Sequence, residues 1–506
     1  MEKILLKNAK IINMLKPKAK LRHIFIKNNK IKKILKNIPN DSFDKIIDLK
    51  EKYVLPGFID SHIHLVSTLI NKFAINLENA KNLKDIEKLI KKKRKENPNL
   101  KLILGTRLTE FSLKNKKLPT KEDLDKIAPD IPVFLSSIEF HTLTVNSCAL
   151  HKINLPVSIQ GVIKNKQGIP TGKLINEASI IARRKMYTIL PEKYYTKSIN
   201  TVINEIVKKG VTSIIAIEGG YLFHDKHVDF LLKNKNKFPF DISILFSTTN
   251  IKKAKAYNFN KIGGDIFFDG SFRSQNAYVS RAYEDSPGNF GKTFFTKNEM
   301  INFIKEAEDN NLQTSIHAVG DLGIEKLLEA YEIALKDKQN TLRHKIEHFE
   351  LPKISHIKKA KELGLILTMH PTYEYFFREK NGMYMNRLGK ERSLKTNPFR
   401  QIFDQNITVA GGSDSNVMPI DPLLGIHAAV NHPNPESRIN TFEALKMYTI
   451  NGAFSNFEEN KKGTIEKNKL ADLVVLDKNP LKVSKDKLKD IEILYTFKNG
   501  KIIYKR

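Results

Sequence analysis

The sequence predicts an α/β protein: a (β/α)8 barrel with a small β-sandwich built from both termini and a large insertion after the first barrel strand. Three observations predict it. Several short apolar runs end in a histidine or aspartate; helical stretches separate those runs; and the two ends of the chain share a β-rich texture. A (β/α)8 barrel collects its functional groups at the C-terminal ends of its strands, which is where such residues fall here.

Residues 1 to 55 alternate apolar and polar, as in Ile4-Leu5-Leu6, Ile11-Ile12 and His23-Ile24-Phe25-Ile26, with Asn28-Asn29 as a turn. That pattern reads as a β-meander. Residues 450 to 506 have the same texture, in Ala471 to Leu476, Ile491 to Thr496 and Lys501 to Tyr504, with Asn499-Gly500 as a strong hairpin turn. Chain termini often lie close together, so both pieces are assigned to one composite domain.

The barrel is assigned to residues 56 to 449. Its first strand runs through Tyr53 to Leu65 and carries His62-x-His64. Alternate residues on a strand share a face, so the two imidazoles emerge together and can bind a transition metal. The next confident strand is Val211 to Ile217, and the stretch before it is too long for a βα loop. Residues of about 75 to 200 therefore read as an inserted subdomain, with strands at Lys101 to Leu104 and Val133 to Ser137 and helices at Leu83 to Lys95 and Ile175 to Leu190. Asp241 to Ser247 and Asp265 to Phe268 follow. Leu312 to Ile316 then ends in His317, His344 to Glu347 leads to His348, Leu365 to Met369 ends in His370, and Ile407 to Ser413 ends in Asp414. Gly219-Gly220 and Gly263-Gly264 lack the Lys-Ser/Thr signature of a phosphate loop and read as turns.

The chain has 506 residues and a formal net charge of +31. Such a charge invites a nucleic-acid partner. The excess is almost all lysine, however, spread along the chain and mixed with Asn and Ile, while arginine is scarce. The densest run, Lys91 to Lys95, continues a helical pattern and reads as a solvated face. The partner expected is a small-molecule substrate, with no nucleic acid and no membrane; a homodimer is left open. Cys148 is the only cysteine, lysines interrupt any apolar signal core at the N-terminus, and no run reaches the length of a membrane span. A cytoplasmic location is expected.

The motifs resemble the metal-dependent amidohydrolase superfamily, and most closely its family 3 branch, the N-substituted formamide deformylase type. The resemblance is carried by Leu55-Pro-Gly-Phe-Ile-Asp-Ser-His-Ile-His64; by His141 with Val145-Asn146-Ser147; by Pro170-Thr-Gly172 with Glu177; and by Asp269-Gly-Ser271. It continues through Ile316-His-Ala-Val-Gly-Asp321, Ile346-Glu-His348, Gly412-Ser-Asp414 and the tail Gly463-Thr-Ile-Glu466 with Leu470-Ala-Asp-Leu-Val474. It implies one or two divalent metals, zinc in the first instance, held by His62, His64, His317, His348 and Asp414. Branch members commonly place a bridging lysine where this chain has Asp265. A carboxylate can bridge in its place, but its shorter reach favours a mononuclear or asymmetric site.

The resemblance further implies a metal-activated water attacking a non-peptide carbon–nitrogen bond: an amide, formamide, cyclic amide or acylated amine. A deaminase or an esterase on the same scaffold is the alternative, and a basic nucleic-acid-binding protein a remoter one. Asp414 is expected as general base and then acid, and His370 as a donor that polarises the substrate carbonyl. Asp321 is expected to be structural or to orient a ligand. His141, Asn146, Arg273 and Gln275, with His370, are the candidate substrate contacts.

Overall fold

The computed structural model describes residues 2–39, 42–108, 110–137, 142–336, 338–378 and 382–506. Eight parallel strands form one sheet: β1 (Phe58–Ile63), β2 (Val211–Glu218), β3 (Asp241–Phe246), β4 (Lys261–Phe267), β5 (Gln313–Ala318), β6 (Lys345–His348), β7 (Ile366–Met369) and β8 (Val409–Gly411). The circle closes between β8 and β1 through an Ile63–Ser415 bridge and a 2.8 Å hydrogen bond from the Asp414 amide to the His62 carbonyl. Every residue of β1, β2, β5, β6 and β7 is buried, as expected of parallel strands covered on both faces. The return helices are well capped: Thr296 and Glu299 form a capping box at Lys297–Asp309, as do Asn440 and Glu443 at Thr441–Met447.

One strand departs from the sequence reading. Gly263-Gly264 is not a turn ahead of β4 but lies inside it, in a bulge where the register with β5 slips between Ile262 and Ile266. Gly263 (φ 73°) and Asp265 (φ 54°) both sit in the left-handed region. A Cβ on Gly264 would stand 2.7 Å from the Leu245 carbonyl oxygen, so the neighbouring strand can approach only a glycine. The cost of that conformation at Asp265 is offset by what the bulge does to the site.

The chain ends meet in a second sheet of eight strands. Tyr53–Pro56 pairs parallel with Lys3–Ile11 on one side and antiparallel with Leu473–Leu476 on the other, with Val474 opposite Leu55. Hydrogen bonding thus joins both termini into one continuous sheet. Its core includes Leu6, Ile24, Val54, Val475 and Phe497, and each such side chain stabilises the fold by roughly 1.5–3 kcal/mol. Asn499-Gly500 is the hairpin turn expected, with φ of 54° and 80°. Buried lysines tie this sheet to the barrel: Lys498 reaches Asp241 and Asp472, each at 2.8 Å, and Lys462 reaches Asp241 and the Ser213 hydroxyl.

Chain packing separates two compact units, residues 1–63, 203–217 and 232–506 in the first and residues 64–202 and 218–231 in the second. The second contains a six-stranded sheet, in which Ile75–Asn76, Ile103–Thr106 and Val133–Ser136 run parallel and Thr142–Val145, Pro170–Ile175 and Val162–Lys164 continue antiparallel. The lysine-rich helix Leu83–Glu96 buries Ile86 and Ile90 and exposes Lys91, Lys92 and Lys95, while Lys93 turns in to the Phe73 carbonyl and lies 3.9 Å over the Phe73 ring. Among the described residues, no helix is long and apolar enough to cross a membrane.

Lys261 opens β4 at the floor of the barrel, against the Ser243 hydroxyl at 3.0 Å and the Asn456 amide oxygen. Burial, with Lys345 nearby, pushes its ammonium down to about 7. Between pH 7 and about 10.5 the unfolded chain then binds more protons here than the folded one, so this residue makes stability rise with pH across that window. Lys261→Met should stabilise the protein at pH 7 by more than about 1 kcal/mol, and the gain should shrink towards pH 10. Denaturant melts of both proteins at the two pH values check this; a gain independent of pH would contradict it.

Candidate metal centre

The ends of β1, β4, β5, β6 and β8, with the residue after β7, bring buried histidines and carboxylates together. His62 lies one residue from the end of β1 and is fully buried. Its Nδ1 is 2.8 Å from Glu347 Oε2, while its Nε2 faces Asp414 Oδ1 at 3.4 Å and Asp265 Oδ2 at 3.8 Å. The bulge in β4 turns Asp265 inward. Its Oδ1 is 3.2 Å from His317 Nδ1 and 3.1 Å from His348 Nε2. The bulge offsets the shorter reach of an aspartate: two left-handed residues shift the strand locally, and the Asp265 oxygens come within 3.8 Å of three imidazoles.

Asp414, itself left-handed (φ 50°), accepts a hydrogen bond from the Tyr373 hydroxyl at Oδ2, which leaves Oδ1 towards His62. His370 Nδ1 is 3.2 Å from the Gly412 carbonyl oxygen. Within the first unit, two triads of the described residues have one ligand atom each within 4.8 Å of one another: His62, His348 and His370, and Asp265, His317 and His348. His64, two residues beyond His62, is buried and opens the second unit.

Electrostatics favour a cation at this point. Burial opposes charge on His62, but Asp414, Glu347 and Asp265 together hold its imidazolium well above the usual range. Burial likewise opposes charge on Asp265, and His348, His317 and His62 outweigh it and hold the carboxyl well below its usual range. The Asp265 and Asp269 carboxylates push His317 up to about 9 against its burial. Carboxylates that draw positive charge onto buried imidazoles suit a divalent ion in place of those protons, of the zinc type, which takes nitrogen and oxygen donors. Two buried ring nitrogens, His348 Nδ1 and His370 Nε2, have no hydrogen-bond partner among the described residues, which fits the same reading.

Other expected residues have different places. Burial and the nearby His348 and His62 keep His370 neutral. Its Nδ1 must be the protonated nitrogen, since a carbonyl only accepts. Nε2 then carries a lone pair and cannot donate to a substrate carbonyl, which corrects the role expected for His370. Asn146 caps the helix Ser147–Ile153 and uses its whole amide: Oδ1 accepts from Val133 and Ala149, and Nδ2 donates to the carbonyls of Ala128 and Ile131. It braces the second unit and has nothing left for a substrate. Asp321 accepts from the Ser280 amide at 2.9 Å and from its hydroxyl, a structural role at the start of the helix Asp321–Ala334. Gln275 donates to Asp285 at 2.8 Å, and the Arg273 guanidinium lies over the Phe377 ring at 6.0 Å. His141 lies outside the described residues.

Three contributors escaped the sequence reading. Glu347 holds His62, and its own other oxygen accepts from the Ser315 hydroxyl beside Lys345. Burial would raise its carboxyl, but Lys345 and His62 keep it well below the usual range. Tyr373 sets the orientation of Asp414. Asp60 accepts from the amides of Ser413 and His62 and so joins β8 to β1. The available signal was a charged residue inside an otherwise apolar strand, as in Ile346-Glu347-His348.

A (β/α)8 barrel with this cluster at its strand ends defines a class of metal-binding barrel proteins. The chain belongs to the Amidohydrolase family, whose profile matches residues 45–504. It is 28% identical over 488 residues to the YtcJ protein of Bacillus subtilis, covering 91% of this chain and 90% of that one. It is 23% identical to the N-substituted formamide deformylase of Arthrobacter pascens, with 91% and 90% covered. A solved structure of an uncharacterized metal-dependent hydrolase from Pyrococcus furiosus superposes with a TM-score of 0.75 at 25% identity, covering 95% of this chain and all of that one. The protein is a hydrolase of the amidohydrolase type.

Partners that fix a ligating histidine typically change metal affinity by 10- to 100-fold. Glu347→Gln should therefore weaken metal binding by about that factor while the fold is kept. Competition with a chromogenic chelator measures it, and an unchanged affinity would show that Glu347 does not support His62.

Proposed function

We propose that the protein hydrolyses a non-peptide carbon–nitrogen bond, in an amide, formamide, cyclic amide or acylated amine, with Zn2+ as the working ion. The observation that carries this reading is the convergence of His62, Asp265, His317, His348 and Asp414 at the barrel rim in a chain of the Amidohydrolase family. These residues are the ligands we assign. The similarity to a formamide deformylase over nine-tenths of both chains supports a carbonyl-bonded nitrogen as the target. Bound zinc would supply Lewis acidity towards a carbonyl oxygen and acidify water to a pKa of about 7.

The chain's own residues supply positioning and proton transfer. With Oδ2 held by Tyr373, Asp414 takes a proton from the attacking water at Oδ1 and returns it to the leaving nitrogen from the same atom. Glu347 keeps the proton of His62 on Nδ1, so Nε2 faces the reacting centre. Buried carboxylates and imidazoles work at low effective dielectric, which strengthens each of these interactions.

Two measurements test the reading. The zinc-loaded protein should release amine from N-acyl, N-formyl or cyclic amide substrates and leave peptides intact. Ammonia release from aminoheterocycles alone would make it a deaminase instead. Asp414→Asn should lower turnover by roughly 10² or more with the fold kept. Turnover near that of the parent protein at neutral pH would assign the proton transfer to another residue.

A further inference from the structure

The geometry points to His370 as a metal ligand, so that His62, His348 and His370 present a three-imidazole face to the ion. This rests on the metal-centre reading above and adds a ligand from the seventh strand. Each ring nitrogen of His370 has a distinct environment. Nδ1 is tied to the Gly412 carbonyl of β8 at 3.2 Å, and only a donating N–H satisfies that oxygen. Nε2 is left with a lone pair, buried and with no hydrogen-bond partner among the described residues. The His370 ring lies with its centroid 4.6 Å from that of His62 and 4.6 Å from that of His348.

His62 has the same arrangement. Its Nδ1 is held by the Glu347 carboxylate at 2.8 Å, and its Nε2 faces the cluster. Histidines that bind metals characteristically direct the second ring nitrogen to a carboxylate or a backbone carbonyl, which fixes tautomer and ring plane. His62 uses the first kind of partner and His370 the second. With His348, the ligand atoms lie within 4.8 Å of one another. A tetrahedral site needs about 3.4 Å between ligand atoms, given bonds of about 2.1 Å, so small ring rotations close the face. Three imidazoles beside Asp265 select ions that prefer nitrogen, such as Zn2+ or Co2+, over Mg2+ or Ca2+.

A donor role for His370 towards substrate would require the proton on Nε2 and would break the Gly412 bond. The two roles are therefore exclusive, and His370→Asn separates them. An asparagine amide can still donate to Gly412, but it has no atom in the place of Nε2. In the Co2+-loaded protein this variant should shift the visible ligand-field bands and weaken Co2+ binding by tenfold or more in chelator competition. Unchanged bands and affinity would overturn the inference. The unmodified protein gives a second measurement that needs no variant: a zinc-edge anomalous map from Zn2+-loaded crystals should place an ion within bonding distance of His370 Nε2. An ion bound by the other ligands but remote from that atom would overturn this inference alone. No ion bound at all would overturn the metal-centre reading on which it rests.

Discussion

The structure of the site depends on one buried carboxylate, that of Asp265. His62, His317 and His348 come from three different strands, and the Asp265 oxygens lie within 3.8 Å of all three. Without a negative charge there, closely packed imidazoles would have to stay neutral or separate, because burial penalises each cation and they repel one another. The bulge in β4 makes that placement. Gly263 and Gly264 allow the backbone to leave regular strand geometry against Leu245, and Asp265 follows into the barrel mouth.

Around that carboxylate, each reacting group has one atom committed and one left towards the cluster. Glu347 takes His62 Nδ1, the Gly412 carbonyl takes His370 Nδ1, and Tyr373 takes Asp414 Oδ2. All three anchors are buried, so solvent does not compete for the committed atoms. Ring and carboxylate orientations are thereby fixed before any ligand arrives, and preorganised polar groups in a dry site act more strongly than the same groups in water. Asp269 extends the same logic to the backbone. Its two oxygens accept from the amides of Val319, Gly320 and Tyr278, which pins the turn directly after His317.

At the other end of the barrel, buried lysines do a related job with opposite charge. Lys498 and Lys462 converge on Asp241 and join the terminal sheet to the barrel floor. The lysine excess of this chain is thus not wholly solvent-facing. Some of it is structural, and Lys261 is buried deeply enough to lose most of its preference for charge near neutral pH.

Sequence alone determined the barrel, the meeting of the chain ends and most of the cluster. Those features follow from local rules: buried parallel strands are continuous apolar runs, Asn-Gly makes a hairpin, and strand ends gather functional groups. His62, His317, His348 and Asp414 were legible because each interrupts an apolar run at its end. Only the tertiary structure decided the rest. Gly263-Gly264 reads as a turn until the approach of Leu245 shows it to be a bulge, and the reach of Asp265 depends on that bulge. The proton on His370 is placed by a carbonyl on the adjacent strand, 42 residues away in the chain. Glu347, Tyr373 and Asn146 owe their roles to partners that periodicity cannot locate, because a hydrogen bond depends on distances of a few tenths of an ångström between segments remote in sequence.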